Sequence, residues 1–197
     1  MMERLRRRTL AVLSGAVLAF GGLLSPAAAS PTAHGDQPFC GQVWASLPEA
    51  QRTAARDLVV TDVRAGRHAC FDRIVVDLRG PADRAPSYDV RYVDAVGELG
   101  SGHAVPLRGG AALRVLVGAP SYADAGRPTF LPADRTEAVQ VAGFDTVEQV
   151  AWLGSFEGQT GLGVGTRARL PFRVFELLGE PGSEQAVRLV IDIGHRW

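Results

Sequence analysis

The sequence predicts an all-β protein: a single-domain β-sandwich with one short N-terminal helix. Three observations predict it. From Leu58 onward, apolar side chains recur at every second position, the period of a half-buried strand. These stretches are rich in Val, Phe and Tyr, and Gly, Pro and Asp clusters separate them. No second strong helical period follows the first sixty residues. At least six such stretches in a chain of 197 residues fit two packed sheets, and an open barrel is the second choice.

The N-terminus has a different character. Arg4, Arg6, Arg7 and Arg8 stand against one acid, Glu3, and Thr9 to Leu24 carries no charge. Pro26 and the small-residue run Ala27-Ala28-Ala29-Ser30 follow. A basic segment, an apolar segment and an A-x-A site form a signal peptide over residues 1–29, cleaved after Ala29. A membrane anchor is disfavoured, because the charge-free stretch falls short of the ~20 residues a span needs and contains Gly15, Gly21 and Gly22. Arg7-Arg8 raises the twin-arginine route beside the general one. No cysteine follows the apolar segment, so no stable membrane anchor is expected after cleavage.

Residues 30–57 read as an N-terminal arm. Its first part is rich in Pro, Ala and Gly; Pro48 to Arg56 then places a proline before good helix formers and predicts the helix. The sandwich is expected over 58–197. Phe71 to Leu78 puts Ile74, Val76 and Leu78 on one face. Tyr88 to Val93 alternates Tyr88, Val90 and Tyr92 against Asp89 and Arg91. Leu113, Val115 and Val117 share a face of the next strand. Val147, Ala151 and Leu153 are set against Glu148, Val150 and Trp152. Phe172 to Leu177 follows, and Val187, Leu189, Ile191 and Ile193 point inward with Arg188 and Asp192 outward. The longest irregular stretch is Ala119 to Thr136. Gly154 to Gly165 is glycine-rich and reads as a hairpin needing positive φ; no Lys-Ser/Thr follows as a phosphate loop requires.

Composition excludes several functions. Lys+Arg and Asp+Glu both number 21, so the chain is neutral overall and nucleic-acid binding by bulk charge is excluded. The hydrophobic fraction, 46%, is too high for a disordered chain. Every basic residue is arginine; lysine and asparagine are absent. That pattern reflects GC-rich codon usage and lowers the weight of any single arginine. Removing residues 1–29 takes away four arginines and one glutamate, leaving 17 against 20. Cys40 and Cys70 are the two cysteines, and an even count in an exported chain predicts a disulfide.

Candidate chemistry is sparse. Arg64, Arg67, His68, Asp72 and Arg73 cluster around a turn and read either as a recognition patch for a carboxylate or sugar, or as a salt-bridge network at a sheet edge. His68, Asp72 and His195 would serve as zinc ligands only in a spacing unlike known motifs, so no metal and no cofactor is expected. Ser101 and His103 lack the flanks of a nucleophile elbow. Glu157 with Asp72 or Asp192 is the carboxylate pair a glycoside hydrolase would need. The expectation is no enzyme; a carboxylate or Ser/His hydrolase is the lesser alternative.

An ordered set of motifs runs from Asp62 to Trp197. It comprises Val63-x-x-Gly66-Arg67-His68, Cys70-Phe71-Asp72-Arg73-x-Val75-x-Asp77, Val90-Arg91-Tyr92-Val93 and Gly100-Ser101-Gly102. Gly109-Gly110-Ala111-x-Leu113, Gly154-x-Phe156-Glu157-Gly158, Pro171-Phe172-Arg173-Val174 and Arg188-Leu189-Val190-Ile191-Asp192-x-x-His195 follow. This string resembles the AMIN-like domain proteins of actinobacteria, which are exported proteins or lipoproteins. The departure is the absent lipobox. The resemblance implies a β-sandwich and a non-catalytic role at the cell envelope, by likeness to AMIN modules with peptidoglycan as suggested ligand. The expected protein is secreted and cell-wall associated, with peptidoglycan or another exported envelope protein as partner. The expected ligand contacts are Arg67, His68, Asp72, Arg73, Phe156, Glu157 and Arg173.

Overall fold

Alternating apolar residues make strands here, and antiparallel pairing stacks them into two sheets. The computed structural model describes residues 39–54, 57–181 and 187–197; the expected export segment 1–29 and residues 30–38 lie outside them. The strands are β1 (Glu49–Gln51), β2 (Val59–Arg67), β3 (Phe71–Arg79), β4 (Tyr88–Val93), β5 (Val96–Gly97) and β6 (Ala104–Val105). They continue with β7 (Ala111–Val117), β8 (Val147–Phe156), β9 (Gln159–Thr166), β10 (Phe172–Leu177) and β11 (Val187–Gly194). One sheet has the order β1-β4-β7-β9-β8 and the other β10-β11-β3-β2; β5 and β6 form a separate ribbon. The all-β sandwich is therefore the observed fold. Among the described residues no helix is long and apolar enough to cross a membrane.

The inner faces meet as the period of two dictates. Ile74, Val76 and Leu78 of β3, Leu189, Ile191 and Ile193 of β11, and Leu113, Val115 and Val117 of β7 are buried in one core with Leu162 and Phe172. Tyr88, Val90 and Tyr92 reach the same core from β4. The Tyr92 hydroxyl donates to the Leu170 carbonyl (2.8 Å) and accepts from the Leu170 amide (3.1 Å), so the ring is buried with its polar tip satisfied.

Three expectations are corrected. Pro48 to Arg56 does not open a helix: Glu49–Gln51 is an edge strand paired with β4, with Glu49 opposite Val90. A short segment with helical propensity has no stable helix to lose, and the free edge of β4 supplies backbone partners. In β8 the expected faces are exchanged. The register shifts between Val147 and Gln149, so Val147, Val150 and Trp152 enter the core while Ala151 and Leu153 turn to the outer face. The third concerns Asp192, which points away from the core yet is fully buried.

The glycine tract has a structural reason beyond its turn. Positive φ occurs at Gly154 and Gly158. Gly161, Gly163 and Gly165 instead line the outer face of β9, beneath the excursion that carries β5 and β6. A Cβ on Gly165 would lie 2.1 Å from the Arg108 carbonyl oxygen, and one on Gly163 would meet Val96 and Leu107 at 3.1–3.2 Å. Loss of three side chains lets residues 96–108 lie flat on this half of the sheet, closing a small second core with Val96 and Leu153. The other half of that face stays open.

The irregular segment after β7 is tied down along the β8 edge. Ala138 N donates to Val150 O (2.8 Å) and Trp152 N to Arg135 O (2.7 Å). Edge groups that would otherwise invite another strand are thus satisfied. The arm is held by the Cys40–Cys70 disulfide (Cα–Cα 6.3 Å), by an isolated bridge from Ala45 to Phe172, and by Glu49 Oε2 accepting from Val174 N at 3.1 Å.

Candidate functional site

The expected contact residues fall at opposite ends of the sandwich. At one end, the alternation of β3 points Asp72 inward. A buried carboxylate must find donors, and Asp72 Oδ2 accepts from Thr146 N (2.6 Å) and Val147 N (3.0 Å). It thereby ties β3 of one sheet to the start of β8 in the other. Its second oxygen lies 3.3 Å from His195 Nε2, which is 3.8 Å from Asp145 Oδ2. Ligand atoms of Asp72, Asp145 and His195 lie within 4.8 Å of one another, a set that could hold a divalent cation. His68 is not among them: its ring stacks on Phe71 with centroids 4.6 Å apart. Arg67 Nη1 donates to the Gly143 carbonyl (2.8 Å).

On the outer face above this end, pairing register sets Arg73, Asp192 and Arg173 side by side across three strands. Arg73 binds both oxygens of Asp192, through Nε at 2.6 Å and Nη2 at 2.9 Å. Arg173 donates to Oδ2 through Nε (2.9 Å) and Nη2 (2.6 Å) and reaches Gln42 with Nη1. The guanidiniums lie over Phe71, Phe175 and Trp44, 5.0–5.7 Å from the ring centroids. Two bidentate forks on one carboxylate, capped by aromatic rings, form a closed structural cluster.

Phe156 and Glu157 occupy the other end, at the β8–β9 turn. β8 runs ten residues from the Asp72 contact to this turn, a span of about 30 Å at strand rise. That distance separates Glu157 from Asp72 and Asp192, so neither forms the carboxylate pair of a glycosidase. The His195 ring contacts two carboxylates and no hydroxyl or thiol nucleophile among the described residues. Ser101 donates to Glu98 Oε2 within a tight turn and accepts from the His103 backbone N–H, not from its imidazole.

The turn bearing Glu157 forms one wall of a groove of about 660 Å³ across the open half of the five-stranded sheet. The floor is Leu116 with Asp89 and Arg114, and the opposite wall is Gln51, Arg52 and Thr53. The lining is mixed in charge, and Arg52 and Glu157 take part in no ion pair among the described residues. Burial disfavours the charged form of Asp89, but the hydrogen bond and charge of Arg91, supported by Arg114, outweigh it and hold this carboxyl below its usual value. Burial pushes the Tyr88 hydroxyl up, and the Glu176 and Glu49 charges add to that.

Of the residues lining the groove, the sequence reading named Glu157 and did not name Arg52 or Arg114. The available signal was Arg114 itself, the single charge in Ala111–Val117, set on the polar face directly opposite Arg91. The AMIN-like domain family model matches residues 58–195. No curated protein and no solved structure matches the chain.

Proposed function

We propose that this chain, which belongs to the AMIN-like domain family, is an exported, non-catalytic module that binds peptidoglycan at the cell envelope. The observation that carries the reading is the open groove of about 660 Å³, whose walls offer an arginine and a glutamate with no ion-pair partner among the described residues. It is the size of a small-ligand site, and neither a histidine nor a cysteine is among its lining residues. Arg73, Arg173 and Asp72, also named as ligand contacts, are bound to internal partners; Glu157 lines the groove, and Phe156, half exposed, lies outside that lining with its ring against Gly100.

Purified sacculi provide the test. The protein should sediment with them and be released by added soluble muropeptides. Full recovery in the unbound fraction across pH and salt would sink the reading. Another exported protein is the alternative partner, favoured by Val43 and Leu47, which the arm leaves exposed. Co-purification of a stoichiometric partner, with no sedimentation on sacculi, would select it.

A further inference from the structure

The groove also specifies a ligand chemistry, an inference that rests on the envelope-binding reading. Arg91 and Arg114 face each other across β4 and β7, and like charges opposed in this way destabilise a sheet. One carboxylate, Asp89, serves both. Arg91 takes both of its oxygens, with Nε at 2.6 Å. Arg114 is left a single long contact, Nη2 to Oδ1 at 3.4 Å. Its Nε is buried without any partner. A guanidinium has five donors, and an unpaired buried donor carries a cost that an incoming acceptor removes. Arg114 lines the groove with a third of its side chain exposed; with Nε enclosed, it is the terminal Nη atoms, holding one long contact between them, that meet an acceptor entering from solvent.

The remaining charges order the ligand. Arg52 stands on the wall beside β1 and adds positive charge on the side of β4; Glu157 projects from the β8–β9 turn on the opposite wall. We infer that the groove is a receptor for a short zwitterionic peptide: a carboxylate sits on Arg114, Arg52 adds positive charge farther along the groove, and an ammonium sits on Glu157. In peptidoglycan this chemistry belongs to the stem peptide, whose diamino acid carries a free amine among free carboxylates. Leu116 on the floor packs its aliphatic chain.

The test is calorimetric titration of the purified protein with a synthetic stem tetrapeptide containing diaminopimelate. Parallel titrations use the same peptide with amidated carboxylates and with its side-chain amine acetylated. Amidation and Arg114→Gln are each expected to weaken binding at least tenfold, and their effects should not add. Acetylation and Glu157→Gln should form a second such pair. Glu157 is on an exposed turn, so its variant keeps the fold even where Arg114→Gln does not; Arg114→Lys keeps the charge and loses the fork. Sedimentation on sacculi with less than twofold response to either modification overturns the zwitterion receptor and leaves the envelope reading standing. Charge-dependent peptide binding without sedimentation supports the receptor and removes the envelope reading.

Discussion

Asp192 shows how a single side chain decides what its neighbours can do. It is fully buried, and four donors from Arg73 and Arg173 converge on it. Asp192→Ala strands two guanidiniums against three aromatic rings, and breaking a buried pair from one side costs about 3–5 kcal/mol. Urea unfolding measures this; a loss under about 1 kcal/mol would mean that the arginines are available to a ligand after all. Glu49 makes the opposite point about pH. Burial pushes its carboxyl above the ordinary value, the Val174 amide pulling against that shift. The folded state therefore binds this proton more tightly than the unfolded chain. The resulting stability is complete below the unfolded pKa and is lost as pH rises through the folded one. Glu49→Gln keeps an acceptor for Val174 N and cannot ionise. Its stability relative to wild type should rise between about pH 4 and neutrality, as thermal melts at a series of pH values would show; parallel curves would refute the assignment.

The strands were legible wherever one face meets the core and the other meets solvent. β4 and β7 fit that description, and β3 and β11, whose outer faces are partly buried, keep a strictly apolar inner face; in all four the inward residues are those the alternation names. Failure came where an element answers to a neighbour that the local pattern does not contain. β1 has helical propensity and becomes a strand because β4 has an open edge. The bulge near Gln149 exchanges the faces of β8, because both faces of that strand are buried and alternation loses its contrast. The glycines of β9 were read as turn residues, although their period of two was itself a strand signal. Their role predicts a graded response. Gly165→Ala drives a methyl into the Arg108 carbonyl oxygen, which is backbone, and should cost about 1–3 kcal/mol. Gly161→Ala meets Leu99 and Leu153 side-chain atoms at 3.1–3.2 Å, contacts relieved by a few tenths of an ångström of give, and should cost less. Equal losses in urea would show that residues 96–108 are not seated on this stripe.

At the scale of the whole molecule, the arm joins the arginine-cluster end to the proposed binding groove. Arg64, Arg67, His68, Asp72 and Arg73 drew notice in the sequence because they lie close along the chain, whereas Asp192 and Arg173 join Arg73 only through strand register. The groove drew no notice, since Arg52, Arg114 and Glu157 come together only through sheet order and register. The Cys40–Cys70 bridge fastens the arm where β3 begins, and β1, farther along the same arm, supplies the groove wall that carries Gln51 and Arg52. Binding in the proposed groove would therefore be coupled to stability through one covalent link. Closing a loop of sequence separation 30 stabilises by about 3–4 kcal/mol in the chain-entropy model. Cys40→Ser with Cys70→Ser should lower the melting temperature and also weaken retention on sacculi. The second effect should persist at temperatures where circular dichroism shows the sandwich intact, because a loosened arm opens the wall without melting the core. Unchanged retention at such a temperature would place the ligand elsewhere on the protein, away from the strand that the arm adds to the sheet.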